Sequence, residues 1–142
     1  MLGAWPGPYA ISKNNQLFLL DFLEKEYKIS FEVFISQVKT DLYQSLIHFT
    51  LGGNHDKYGD RIPAVWITNN KAVHITSAIS GHKNSQADIC CVKEGEWIKM
   101  EISQTLKEGK VQSILISIFW LGSLPNIIYN FKYYHDGHFG KI

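Results

Sequence analysis

Two cysteines in 142 residues, adjacent at Cys90 and Cys91, leave no material for a disulfide framework or a CxxC metal site. Neighbouring cysteines rarely bridge each other, because the ring strains the intervening peptide. In an alternating strand one of them faces the core as a small hydrophobe. Charge of one sign is lacking too. Lys and Arg number 14 and Asp and Glu 13, a formal net charge of +1, and four basic residues never occur in a row. Nucleic-acid binding through a basic face needs several phosphates neutralised together, so that class is excluded. The longest apolar run, residues 114–121, is far too short to span a bilayer, and membrane insertion is not expected. Met1-Leu2-Gly3-Ala4-Trp5-Pro6-Gly7-Pro8 carries neither a basic segment nor a continuous apolar one, so no signal peptide is visible. The chain is then expected to be cytosolic, or a mature chain or excised domain. Asn-x-Ser/Thr acceptors are missing, which removes glycosylation as a hint of secretion.

Catalytic signatures are equally scarce. There is no Gly-x-Ser-x-Gly elbow, and no glycine-rich phosphate loop opens a helix. The histidines His48, His55, His74, His82, His135 and His138 include no i, i+4 pair of the zincin kind. They are expected as scattered surface side chains, with His48 and His74 at outward strand positions. Enzyme activity is not expected.

What the chain does have is hydrophobic alternation. Hydrophobic residues make up 45% and charged residues 19%, the balance of a folded globular chain. A chain of this length suits one domain and buries roughly 68% of its unfolded surface. A single domain over 1–142 is expected, with an irregular lead-in at 1–12 and a tail at 135–142.

Period-2 patterning predicts strands. Tyr27, Ile29, Phe31 and Val33 alternate with polar residues, as do Ile47, Phe49 and Leu51, then Val73, Ile75 and Ile79, then Ile98, Met100 and Ile102. Residues 16–22 and 127–134 are further strand candidates, and 114–121 reads as a strand covered on both faces. Asn69-Asn70 is expected to close a tight hairpin, Gly109 to take the left-handed position of another, and Lys93-Glu94-Gly95-Glu96 to turn. Gly81-His82-Lys83-Asn84-Ser85 is expected as a polar connection. Helix is scarce, with at most a short turn within 37–45. Strands at this spacing predict an antiparallel sandwich or barrel.

The order of four pieces resembles a family. They are Glu26-Tyr27-Lys28-Ile29-Ser30-Phe31-Glu32-Val33, Ser45-Leu46-Ile47-His48-Phe49-Thr50, Ile62-Pro63-Ala64-Val65-Trp66-Ile67 with its Asn69-Asn70 turn and Val73-His74-Ile75, and Glu94-Gly95-Glu96-Trp97-Ile98-Lys99-Met100-Glu101-Ile102. Together they are similar to a laminin-G-like, concanavalin-A-like jelly roll, over roughly residues 16–120. The last piece resembles the Gly-x-Trp strand that follows a short turn in such domains. The resemblance implies an all-β, two-sheet antiparallel β-sandwich. It also implies an extracellular lectin-type module that recognises a glycan or glycoprotein, often with calcium. The close-spaced Glu-x-Asp-x-x-Glu pattern of jelly-roll glucanases is missing, which disfavours a glycoside hydrolase.

The candidate site is Gly52-Gly53-Asn54-His55-Asp56-Lys57-Tyr58-Gly59-Asp60-Arg61, a glycine-rich, charge-dense loop between two strand-like runs. Asn54, Asp56 and Asp60 supply oxygens suited to calcium, and Asp60 matches the position of an acidic calcium ligand in the family. Lys57 and Arg61 compete for those carboxylates, and an ordinary solvated crossover is the plain alternative. For a sugar, Asn54, His55, Tyr58 and Arg61 offer polar and aromatic contacts, with Trp66 and His74 on neighbouring strands. Trp66 and Trp97 also suit core packing. A structural or adhesion role, with the aromatic 127–134 strand meeting another protein or a like subunit, is the competing expectation.

Overall fold

The computed structural model describes residues 16–17, 19–79, 82–89, 92–108, 110–120, 128–134 and 139–141, with 110–115, 120, 128–134 and 139–141 described as backbone alone. Among them are nine strands and no helix: β1 (Tyr27–Ile35), β2 (Gln44–His48), β3 (Ala64–Ile67), β4 (Val73–Ile79), β5 (His82–Ile89), β6 (Glu96–Lys107), β7 (Lys110–Trp120), β8 (Ile128–Tyr134) and β9 (Phe139–Lys141). They form two antiparallel sheets, ordered β1-β6-β7-β8-β9 and β2-β3-β4-β5. Apart from β1 against β6, every pairing joins strands consecutive in sequence.

Alternation decides which side chains enter the space between the sheets. Val33 and Ile35 of β1, Ile98, Met100 and Ile102 of β6, and Ile116 and Ile118 of β7 meet Val65 and Ile67 of β3, Val73, Ile75 and Ile79 of β4, and Ile89 of β5 in one buried cluster. This makes the architecture sandwich-like, with each buried branched side chain contributing about 1.5–3 kcal/mol. Tyr27 spans this space at one end. Its hydroxyl donates to Gln104 Oε1 at 3.2 Å, and burial pushes the phenol up to about 12.

Several expectations need correcting. The described part of 16–22 is irregular, and Leu19 and Phe22 are exposed. No helical turn forms over 37–45, because its amides are taken by side chains. Val38 N–H donates to Glu94 Oε1 at 2.8 Å, and Lys39 N–H to Gln44 Oε1 at 2.6 Å. The expected connection at 81–85 is largely strand, since His82 already pairs with Ile79 and Ser85 with Ser77. In the β3–β4 turn Lys71, not an asparagine, holds positive φ at 61°. The Thr68 hydroxyl accepts Ala72 N–H at 3.1 Å there. At 107–110 Glu108 is left-handed, and Gly109 lies outside the described residues. So do Cys90, Cys91, the histidines at 135 and 138, the 1–12 lead-in and most of the 135–142 tail.

The alternation expected through Leu51 stops at His48. β2 ends there, Leu51 lies in a bend of the following loop, and it is 85% exposed. Trp97 is 41% exposed. It sits on the outer face of the five-stranded sheet opposite Phe34, ring centroids 5.6 Å apart.

Candidate functional site

The outer face of the four-stranded sheet carries a side-chain row that the register dictates. Ser45, Trp66, His74 and Asp88 lie opposite one another across β2, β3, β4 and β5. The next row towards the 49–63 loop is His48, Ala64, Thr76 and Gln86.

Trp66 is the centre. The His48 and His74 rings each lie 5.8 Å from the indole, and the Arg61 guanidinium carbon is 5.2 Å from its centroid. An arginine over an indole face is a favourable cation–π arrangement. With those neighbours Trp66 is only 9% exposed, so it organises the cluster rather than offering a free stacking face.

Arg61 reaches the indole from the loop before β3. Ala64 and Thr76, paired in the next row, are completely buried although they lie on the outer face. The Thr76 hydroxyl finds no partner there. Three acceptors fix the guanidinium. Nε donates to Asn54 Oδ1 at 3.1 Å, Nη2 to the Asn54 carbonyl at 3.1 Å, and Nη1 to Asn84 Oδ1 at 3.4 Å. His74 is fixed from the other side. Its Nδ1 lies 2.5 Å from Asp88 Oδ1, and the Tyr43 ring meets it edge-on at 5.4 Å. His48 Nε2 lies 2.6 Å from the Asp60 carbonyl, which ties β2 to the end of the loop.

The loop has a defined root. Phe49 N–H donates to the Pro63 carbonyl, Ile62 N–H to the Phe49 carbonyl, and Leu51 N–H to the Gly59 carbonyl. Gly59 has φ of 88°, a conformation that side chains resist. A Cβ at Gly53 would meet the Asp60 carboxylate, which would then have to shift. That carboxylate accepts the His55 N–H at 2.9 Å. The loop's outer side is pinned to β5 by Lys83, whose Nζ is 3.6 Å from Asp56 Oδ2.

The comparisons identify no relatives. No family model, curated protein or solved structure matches this chain. Any functional reading must therefore come from the site.

The expected ligand residues part into two groups. Arg61, Trp66, His74 and Asn54 are brought together as one connected cluster. Tyr58 and His55 are exposed on the loop itself. Asn54, Asp56 and Asp60, expected as calcium ligands, each have an oxygen engaged by a protein partner, respectively Arg61, Lys83 and the His55 N–H. Among the described residues no group of three or more His, Cys, Asp or Glu is placed to hold a metal ion. Sequence reasoning missed Tyr43, Asp88 and Asn84. Their signal lay in the β3–β4–β5 register, which sets His74 opposite Asp88 but cannot be counted until the start of β5 is known.

Proposed function

We propose that the chain is a non-enzymatic recognition module. It binds a glycan, free or on a glycoprotein, on the outer face of the four-stranded sheet and the adjoining 54–61 loop. The observation that carries this reading is the orientation of polar side chains before any ligand arrives. Arg61 is held by Asn54, Asn84 and Trp66, and His74 by Asp88 and Tyr43. Fixed hydrogen-bonding groups lower the ordering cost of binding a polyhydroxylated ligand. Exposed Tyr43, edge-on to His74, and exposed Tyr58 on the loop supply aromatic surface for the apolar face of a sugar ring.

The likeness to laminin-G-like and concanavalin-A-like domains enters here as a proposal about the type of surface. The two-sheet frame supports it. The jelly-roll part gains no support from the strand order, because hairpins between consecutive strands fill both sheets, whereas two Greek keys define a jelly roll. An extracellular setting follows from the same proposal. Arg61 and Lys83 compete with a cation for Asn54 and Asp56, so we favour contact without metal. The melting temperature is then expected to be the same in calcium and in chelator.

The test is a glycan array with the wild-type chain and Tyr43→Ala. Binding to a defined saccharide set, weakened about tenfold by the substitution, supports the reading. A blank array with self-association in solution favours the adhesion alternative; the side chains of the 127–134 strand expected to make that contact lie outside the described residues, and the exposed Phe34–Trp97 pair is a described candidate on the same sheet.

A further inference from the structure

Arg61 differs from Lys83 and Lys71 in what neutralises it. Lys83 lies beside the Asp56 carboxylate, and Lys71 beside Glu94. The acceptors of Arg61 are two amide side-chain oxygens and one backbone carbonyl, all neutral, together with the Trp66 ring. No carboxylate among the described residues forms an ion pair with it. A guanidinium has five N–H donors. Three are spent on these acceptors, which leaves two among the described residues. The group is half-buried, so its charge is less screened than that of a lysine in open solvent.

We propose that Arg61 anchors one anionic substituent, a carboxylate or a sulfate ester, of the bound saccharide. This rests on the glycan reading and narrows it to acidic sugars. Arginine suits the task because its planar fork meets two oxygens of a carboxylate or sulfate at once. The neutral acceptors set the plane of the fork without cancelling its charge. The surrounding carboxylates limit the site to a single anion. Asp88 is turned to His74, Asp56 to Lys83 and Asp60 to the His55 N–H. Each still repels a second negative group on the ligand. A polyanion therefore gains little here, in keeping with the net charge of +1.

The experiment titrates the full chain, isotopically labelled, with glucose, galactose, their uronates, their 6-sulfates and inorganic sulfate. Calorimetry and the Arg61 Nε–Hε resonance are followed. The acidic sugars are expected to bind at least tenfold more tightly than the neutral ones, and to shift the Arg61 resonance. Arg61→Gln should bring them to the neutral level, and Arg61→Lys should fall between. If neutral and acidic sugars bind equally, the anchor is overturned and the glycan reading stands. If inorganic sulfate binds as tightly as the sugar sulfates, the anchor stands and the glycan reading falls. If no probe binds and the resonance stays still, both are overturned. The wild-type resonance decides the matter even if Arg61→Gln fails to fold.

Discussion

At the scale of the residue, the outer face holds one conspicuous cost. Thr76 of β4 is completely buried, and its hydroxyl has no hydrogen-bond partner among the described residues. A buried unsatisfied hydroxyl costs about 1–3 kcal/mol, and replacing it with a methyl of similar shape relieves the cost. Thr76→Val is expected to raise stability by about 1 kcal/mol in a urea melt without changing the slope of the transition. The two indoles make the contrasting case. Trp66→Ala should cost about 3–5 kcal/mol, as a large buried side chain does. Trp97→Ala should cost about 1 kcal/mol, most of it the packing against Phe34. Composition placed both in the core. Register sets both on outer faces, and cover separates them: His48, His74 and Arg61 surround Trp66, whereas Trp97 packs against Phe34 and stays 41% exposed.

At the scale of the element, ion pairs bind the outer side of the five-stranded sheet. Glu101 on β6 lies 2.8 Å from Lys28 of β1 and 3.0 Å from Lys99. These partners hold its carboxyl below the ordinary value of 4.5. Glu94 is lowered likewise, first by the Val38 N–H and then by Lys71, and it joins the turn before β6 to the segment after β1. A carboxyl whose folded pKa is depressed adds stability that is complete above the unfolded value and disappears as pH falls through the folded one. Thermal melts are therefore expected to weaken below about pH 4.5 through these two groups. Glu101→Gln should cost about 0.5 kcal/mol at neutral pH and flatten part of that acid slope. The strands were legible in their alternation, as β1, β4 and β6 illustrate, because one face of each is buried. The element ends were not legible where a side chain replaced a backbone partner. Glu94 capturing Val38 N–H leaves no periodic trace, and neither does the end of β2 at His48, short of Leu51.

At the scale of the whole molecule, two sheets share a single apolar interior and show different outer faces. One bears Lys28, Glu101, Lys99 and the Phe34–Trp97 pair. The other bears the Trp66 cluster and the loop that folds over it. The glycine-rich loop stood out in the sequence by composition, and half of the site was found with it. The other half, Asn84 and Asp88 of β5 and Tyr43 just before β2, is set beside the loop and Trp66 only by the folded sheet. The account depends on that face being where ligand binds. Amide chemical-shift mapping with the tightest saccharide from the array tests it directly. Perturbations should concentrate at Tyr43, His48, Asn54, Arg61, Trp66, His74 and Asp88. Perturbations confined to Phe34, Trp97 and their neighbours on the five-stranded sheet would contradict it.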